Sequence, residues 1–183
     1  MNHFCKNVLI CSYAVFTLAC SHSKKPAELN PEDGAPAQEL SVASLKAAPQ
    51  VAKEKLLDAI VSNYQGQVVL VDFWATWCTP CLMAMHEIAP LKEEMKAQHV
   101  AFVYITGATS PRADFEARME SIAGDHYYLT EEEWVYLLQT LDINGIPTYL
   151  IYDTKGELQN MFTGYPGTQE MRQLLGKYFS PQA

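Results

Sequence analysis

The segment Trp77-Cys78-Thr79-Pro80-Cys81 sets two thiols three positions apart. Side chains at that spacing share a helix face, so the two sulfurs can close a small disulfide, and a thiolate can reopen it by exchange. A static disulfide and half of a zinc site are the competing readings. Structural zinc normally takes four ligands, as two such pairs or as one pair with spaced histidines. Neither a second Cys pair nor a His-x3-His follows here, so redox cycling is the expected chemistry. Met83, Met85 and His86 beside the thiols also make a soft donor set of the kind that favours Cu(I), although methionines at helical spacing commonly fill a core.

Two elements must position these thiols. Val68 to Phe73 is an almost continuous aliphatic run, the pattern of a strand covered on both faces. From Thr79 onward Leu82, Met83, Met85, Ile88, Leu91 and Met95 recur at threes and fours, which predicts a helix to about Gln98. Cys78 then sits at the strand-to-helix turn and Cys81 one turn into the helix. Unpaired N–H groups and the positive end of the helix dipole favour thiolate there. Pro80 fits a first turn, where proline forfeits no hydrogen bond. Asp72, six residues before Cys78, interrupts the apolar strand. A carboxylate in that place is costly unless its proton affinity rises or it lies at a solvated strand edge. His99 and His126 show no ligand spacing and are expected at the surface or in loops.

The run Val71-Asp72-Phe73-Trp74-Ala75-Thr76-Trp77-Cys78-Thr79-Pro80-Cys81, with Gly145-Ile146-Pro147-Thr148 downstream, resembles the TlpA/ResA group of thioredoxin-like envelope thiol-disulfide oxidoreductases over roughly residues 50 to 180. The resemblance implies an α/β thioredoxin fold, a central mixed β-sheet flanked by α-helices. It implies Cys78 as nucleophile, Cys81 as resolving thiol, and Asp72 as a buried acid-base group that helps deprotonate Cys81. Ile146-Pro147 matches the family's cis-proline loop, which offers backbone to an incoming peptide, and Gly145 would leave that approach open. Trp77 is expected in the docking surface and Trp74 beneath the site. No cofactor and no resident metal are implied. The sequence departs from the group at His86, where a helix-bending proline is usual; Pro90 comes later, which moves the expected kink toward Ala89.

The chain has 183 residues, 49% of them hydrophobic, enough for one domain with appendages. Its 13 basic and 21 acidic residues give a net charge of -8, and with no Lys/Arg cluster this excludes nucleic acid as an expected partner. Cys5, Cys11 and Cys20 fall in the first twenty residues; only Cys78 and Cys81 follow. Residues 1–20, with Lys6 ahead of the apolar stretch Val8 to Ala19, read as a signal peptide too short to span a bilayer. Thr17-Leu18-Ala19-Cys20 resembles a bacterial lipobox, with Thr17 where leucine is typical; Cys20 is then the lipidated first residue, and cleavage by an ordinary signal peptidase is the alternative. Residues 21–49, carrying Pro26, Pro31, Pro36 and Pro49, read as a flexible tether, with a short helix expected over Leu40 to Lys46. Residues 50–183 are the expected thioredoxin-like domain.

Within it, a helix over Val51 to Tyr64 precedes the first strand, with no alternating pattern that would supply a β-hairpin there. A strand over Val100 to Thr106, a helix started by Ser110 as N-cap with Pro111, and a helix behind the capping box Thr130–Glu133 come next. The strand Pro147 to Tyr152, its hairpin partner Leu158 to Thr163 and a helix from Thr168 to Phe179 close the chain. The function expected is that of an exported thiol-disulfide oxidoreductase acting on protein disulfides, supplied by an upstream envelope electron donor and tethered to a membrane through Cys20. A Cu(I) metallochaperone using the same thiols and a non-catalytic envelope binding protein are the rivals.

Overall fold

Every residue of strand β2 (Val68–Phe73) is buried, so the sheet must be covered on both faces. Alternation along β2 divides the interior. Val69, Val71 and Phe73 pack with helix α1 (Leu56–Ser62) and with α4 (Glu131–Thr140) through Leu56, Ile60, Trp134 and Leu137. Val68, Leu70 and Trp74 face the other way, onto α2 (Thr79–Lys96) and α5 (Thr168–Gly176) through Cys81, Met85, Ile88, Leu91, Met171 and Leu175. Asp72 shares the parity of Leu70 and Trp74, so it points toward the helix that carries the cysteines.

The computed structural model describes residues 42–179; residues 1–41, with the expected signal segment, Cys20 and most of the tether, lie outside the described residues. Among the described residues six strands form one mixed sheet in the order β1-β4-β3-β2-β5-β6. Here β1 is Ala43–Lys46, β3 Val100–Thr106, β4 Gly124–Tyr128, β5 Thr148–Tyr152 and β6 Leu158–Thr163, and α3 spans Arg112–Met119. The strands β1, β4, β3 and β2 run parallel, while β5 pairs antiparallel with β2 and β6 with β5. The central mixed sheet flanked by helices is the architecture that the family resemblance implied.

Two elements differ from expectation. The stretch expected as a helix over Leu40 to Lys46 forms strand β1 instead, paired Leu45 to His126. Four residues carry too little periodicity to declare themselves; it is the free edge of β4 that makes them a strand. That second strand, β4, is absent from the sequence reading because Gly124-Asp125-His126 has the composition of a turn. Gly124 has φ 132, and a Cβ there would lie 2.7 Å from the Phe102 carbonyl oxygen, so close approach of β4 to β3 requires glycine. The capping box on α4 is present in full, Thr130 with Glu133. On α3 the N-cap is Pro111, without a side-chain cap, and Ser110 is used elsewhere. Helix α2 continues through Pro90 to Lys96.

Candidate active site

Cys78 ends the turn after β2 as the N-cap of α2, with φ -82° and ψ 90°, and Cys81 lies in the first helical turn. The Cys81 backbone N–H donates to Cys78 Sγ at 3.2 Å. One of the orphan donors of the helix start is therefore aimed at the sulfur, the arrangement that stabilises a thiolate. The two sulfurs are joined, S–S 1.96 Å with Cα atoms 5.3 Å apart. Cys81 has no exposed surface and Cys78 almost none, but Cys78 is flanked by the exposed Trp77 and Thr79.

The turn that presents Cys78 is held by Ser110. Its Oγ accepts from Thr76 N–H at 3.0 Å and pairs with Thr106 Oγ1 at 2.9 Å, and its carbonyl accepts from Tyr128 Oη–H at 2.7 Å. A hydroxyl expected to cap α3 thus anchors the loop leading to the cysteines. From the other side comes the loop before β5. The Ile146–Pro147 peptide is cis, and the Ile146 carbonyl oxygen lies 3.6 Å from Cys78 Sγ. Thr148 Oγ1 donates to the Gly145 carbonyl at 2.6 Å, and Gly164 N–H donates to that of Pro147 at 2.8 Å. A side chain at Gly145 would meet only an ordinary contact, Thr163 Cγ2 at 3.6 Å, so internal crowding does not require glycine there.

Trp77 is 62% exposed beside the disulfide. Trp74 is fully buried in the same cluster as both cysteines, edge-on to His126 and tilted against Phe115. Met85 belongs to the core, whereas Met83 is largely exposed and His86 is exposed. The three do not converge with the thiols, and among the described residues no group of three or more His, Cys, Asp and Glu could hold a metal ion.

The electrostatics lie behind the disulfide, in a row that crosses the sheet. Tyr149 of β5, Asp72 of β2, Tyr104 of β3 and His126 of β4 are successive register partners. Asp72 is buried and its Oδ1 has no hydrogen-bond partner among the described residues. Burial pushes its carboxyl up to about 8, against the pull of the positive charge on Lys92. His126, expected at the surface, is instead completely buried. It stacks on Tyr104 at 4.8 Å and places Nε2 2.7 Å from the Ile122 carbonyl. A carbonyl can only accept, so Nε2 carries the hydrogen, and the lone pair of Nδ1 is left without a partner. Burial lowers this imidazole to about 4, so it is neutral near pH 7.

Lys92 was missed altogether. It lies four residues after Ile88 and three before Met95, inside the stripe that the helix buries, and a lysine at such a position is the signal that could have found it. Only 5% of it is exposed. Its Nζ donates to the Ala123 carbonyl at 2.9 Å and stands 4.6 Å over the Tyr104 ring. Burial lowers its amine to about 8, opposed by Asp72 and Glu93.

A thiol pair at a helix start, an adjoining cis-proline carbonyl and a buried acid with raised proton affinity can together carry out thiol-disulfide exchange. Comparison with known proteins agrees. Residues 57–179 match the family model described as a thioredoxin-like domain. The thioredoxin-like protein YneN of Bacillus subtilis is 29% identical over 92% of this chain and 92% of its own length. The thiol-disulfide oxidoreductase ResA of Geobacillus kaustophilus is 27% identical over 57% of this chain, and the match spans 59% of ResA. In fold, the exposed lipoprotein thioredoxin of Streptococcus pneumoniae aligns with TM-score 0.52 at 24% identity, over 64% of this chain and 89% of its own. With the family model spanning most of the chain and laid over the cysteine turn, the buried acid and the cis-proline loop alike, the chain belongs to the thioredoxin-like family, as an oxidoreductase of that family.

Proposed function

We propose that this protein is an exported thiol-disulfide oxidoreductase that reduces protein disulfides through Cys78 and Cys81. The observation that carries the reading is the Cys78–Cys81 pair at the N-terminus of α2, with the Ile146 carbonyl 3.6 Å from Cys78 Sγ. In the dithiol form, Cys78 attacks a partner disulfide as thiolate, and a mixed disulfide forms as one partner sulfur leaves. Cys81, deprotonated with the help of Asp72, then attacks Cys78 Sγ and expels the second partner sulfur. Trp77, Ile146 and Pro147 form the docking surface, where an extended peptide lies against the cis-proline loop and is held mainly through its backbone. An electron donor in the envelope returns the pair to the dithiol.

Export is supported by residues 1–20, which read as a signal peptide, and by the distribution of the cysteines, three in that leader and a single spaced pair after it. Lipidation at Cys20, with the expected tether of residues 21–49 as spacer, shortened at its end where β1 joins the sheet, would hold the catalytic domain to a membrane.

The test uses Cys81→Ser and Cys78→Ser in a protein-disulfide reduction assay driven by a dithiol. Cys81→Ser should accumulate mixed disulfides with substrate, visible on non-reducing gels, while Cys78→Ser should form none and turn over no substrate. Turnover at the wild-type rate by both variants would leave only a scaffold that docks partners.

A further inference from the structure

Among the described residues the sheet ends in two free edges, β1 and β6, and the chain treats them differently. An open edge presents unpaired N–H and C=O groups to any other strand, and proteins guard it with short strands, lysines or prolines. β1 is so guarded: it has four residues and ends in Lys46, whose Nζ lies 3.4 Å from Asp125. β6 is not. Its six residues, Leu-Gln-Asn-Met-Phe-Thr, contain no charge and no proline, although the whole chain carries a net charge of -8. The nearest charges before it, Lys155 and Glu157, lie in the turn that leads into the strand. Two of its side chains are exposed and apolar, Leu158 at 46% and Met161 at 38%. They share one face, that packed by α1 and α4, because Leu158 is paired with Tyr152 and Met161 with Leu150.

The phase of the ladder decides which backbone groups are on offer. Gly164 N–H donates to the Pro147 carbonyl at 2.8 Å, and hydrogen-bonded pairs alternate along an antiparallel ladder. Phe162 with Tyr149 and Asn160 with Ile151 are then bonded inward, while the backbone groups of Gln159, Met161 and Thr163 point outward. The register shift between Ile151 and Tyr152 falls at the Leu158 end of the strand, which leaves Gln159 to Thr163 as the regular stretch.

We propose that β6 is a self-association surface: two copies of this chain pair antiparallel through β6 about a two-fold axis at Met161, and the sheet continues from one copy into the other. In that register Met161 and the partner subunit's Met161 exchange N–H to carbonyl bonds, and Thr163 does the same with the partner subunit's Gln159. Every outward backbone group of the stretch is thereby satisfied by a single self-complementary contact. Charge selects a second copy as the occupant. Two chains of the same sign repel wherever carboxylates meet, and the axis sets each residue of the strand against another of the same uncharged strand. The exposed methionines meet on the α1 and α4 face, where each would otherwise stay in water. β5 separates β6 from β2, so the strand that leads to Cys78 lies two strand spacings, about 10 Å, from the seam, and both disulfides remain open to substrate. The inference stands apart from the oxidoreductase reading.

Two measurements on the full chain test this. Sedimentation equilibrium over a dilution series up to about 0.5 mM should show twice the 20.5 kDa of one chain at the top of the series. Met161→Lys sets an ammonium against its own copy at the axis, and the dimer dissociation constant should rise at least about tenfold. Hydrogen exchange of the wild type reads the phase without any substitution: the Met161 and Thr163 amides should be protected at the top of the series and lose that protection on dilution, while those of Asn160 and Phe162, held by β5, should not change. A monomer throughout the series, a dimer that Met161→Lys leaves intact, or Met161 and Thr163 amides indifferent to concentration overturns the proposal. Protection of those two amides that persists in the monomer would mean that the same chain covers the edge, and protection that appears only on adding an unfolded protein substrate would mean that substrate does.

Discussion

Replacing Asp72 by asparagine keeps the shape of the side chain and removes its proton equilibrium, so the effect on stability should depend on pH in a way fixed by burial. An aspartate ordinarily titrates near 3.8, and burial raises this one to about 8. Between those values the unfolded chain has released the proton and the folded chain still holds it, so the unfolded state binds fewer protons and stability falls as pH rises. The slope approaches about 1.4 kcal/mol per pH unit. From pH 5 to pH 7 the wild type should therefore lose about 3 kcal/mol relative to Asp72→Asn. The comparison must be a difference between the two proteins, because His126 works in the opposite sense. Its folded value of about 4 lies below its ordinary 6.5, so it costs stability as pH falls through that window, equally in both. Urea unfolding of the oxidised proteins at pH 5, 6 and 7 gives the two curves, and any fixed cost of burying the amide cancels from their slopes. A gap that stays constant with pH would show that Asp72 does not hold its proton when folded.

Trp77→Ala removes a ring that is already mostly in water, so stability should move by less than about 0.5 kcal/mol. The rate per encounter with a protein disulfide should fall about tenfold, as expected for loss of an aromatic docking anchor worth about 1.4 kcal/mol. A low-molecular-weight disulfide should be reduced as before; an equal loss on both substrates would mean that Trp77 acts on the sulfurs and not on docking. Ser110→Ala strands the Thr76 N–H and leaves the Thr106 hydroxyl short of a partner. Such orphaned groups cost about 1–3 kcal/mol, and a melting temperature equal to that of the wild type would deny Ser110 its hold on the cysteine turn.

What the sequence disclosed was whatever a few consecutive residues decide. The aliphatic run of β2, the helix start at Thr79-Pro80 and the capping box Thr130–Glu133 depend on neighbours in the chain, and each lies where its local pattern puts it. Strands β1 and β4 depend on each other and on β3, so no window of sequence contains the reason for them. The same division runs through the site. Cys78, Cys81 and Asp72 sit within ten residues of one another, and their spacing is itself the signal. Ser110, His126 and Lys92 reach the site from α2 and from the strand and loop beyond β3, and they act through pairings that only the folded sheet creates. His126 illustrates the loss: with Gly and Asp before it and tyrosines after, it has the signature of a loop, yet it lies in β4 between β3 and β1, where the rings of Trp74, Tyr104 and Phe115 pack on it, and it is completely buried.

Lys92 sharpens the point, because at its position an apolar side chain would suit the fold better. Burying an ammonium beside a carboxyl seldom returns the cost of removing both from water, and apolar replacements of similar volume are often neutral or stabilising. Beside Asp72 Oδ1, which has no partner itself, Trp74 Nε1 and His126 Nδ1 add two more unpartnered buried polar atoms on the same face, each a further cost of about 1–3 kcal/mol. The opposite face, packed by α1 and α4, contributes no such atom among the described residues. The imbalance thus follows the disulfide and not the size of the core. Apolar side chains at 92 and 72 would suit the packing of this face better, so the polar cost is concentrated on the face that carries the disulfide and is not spread through the core.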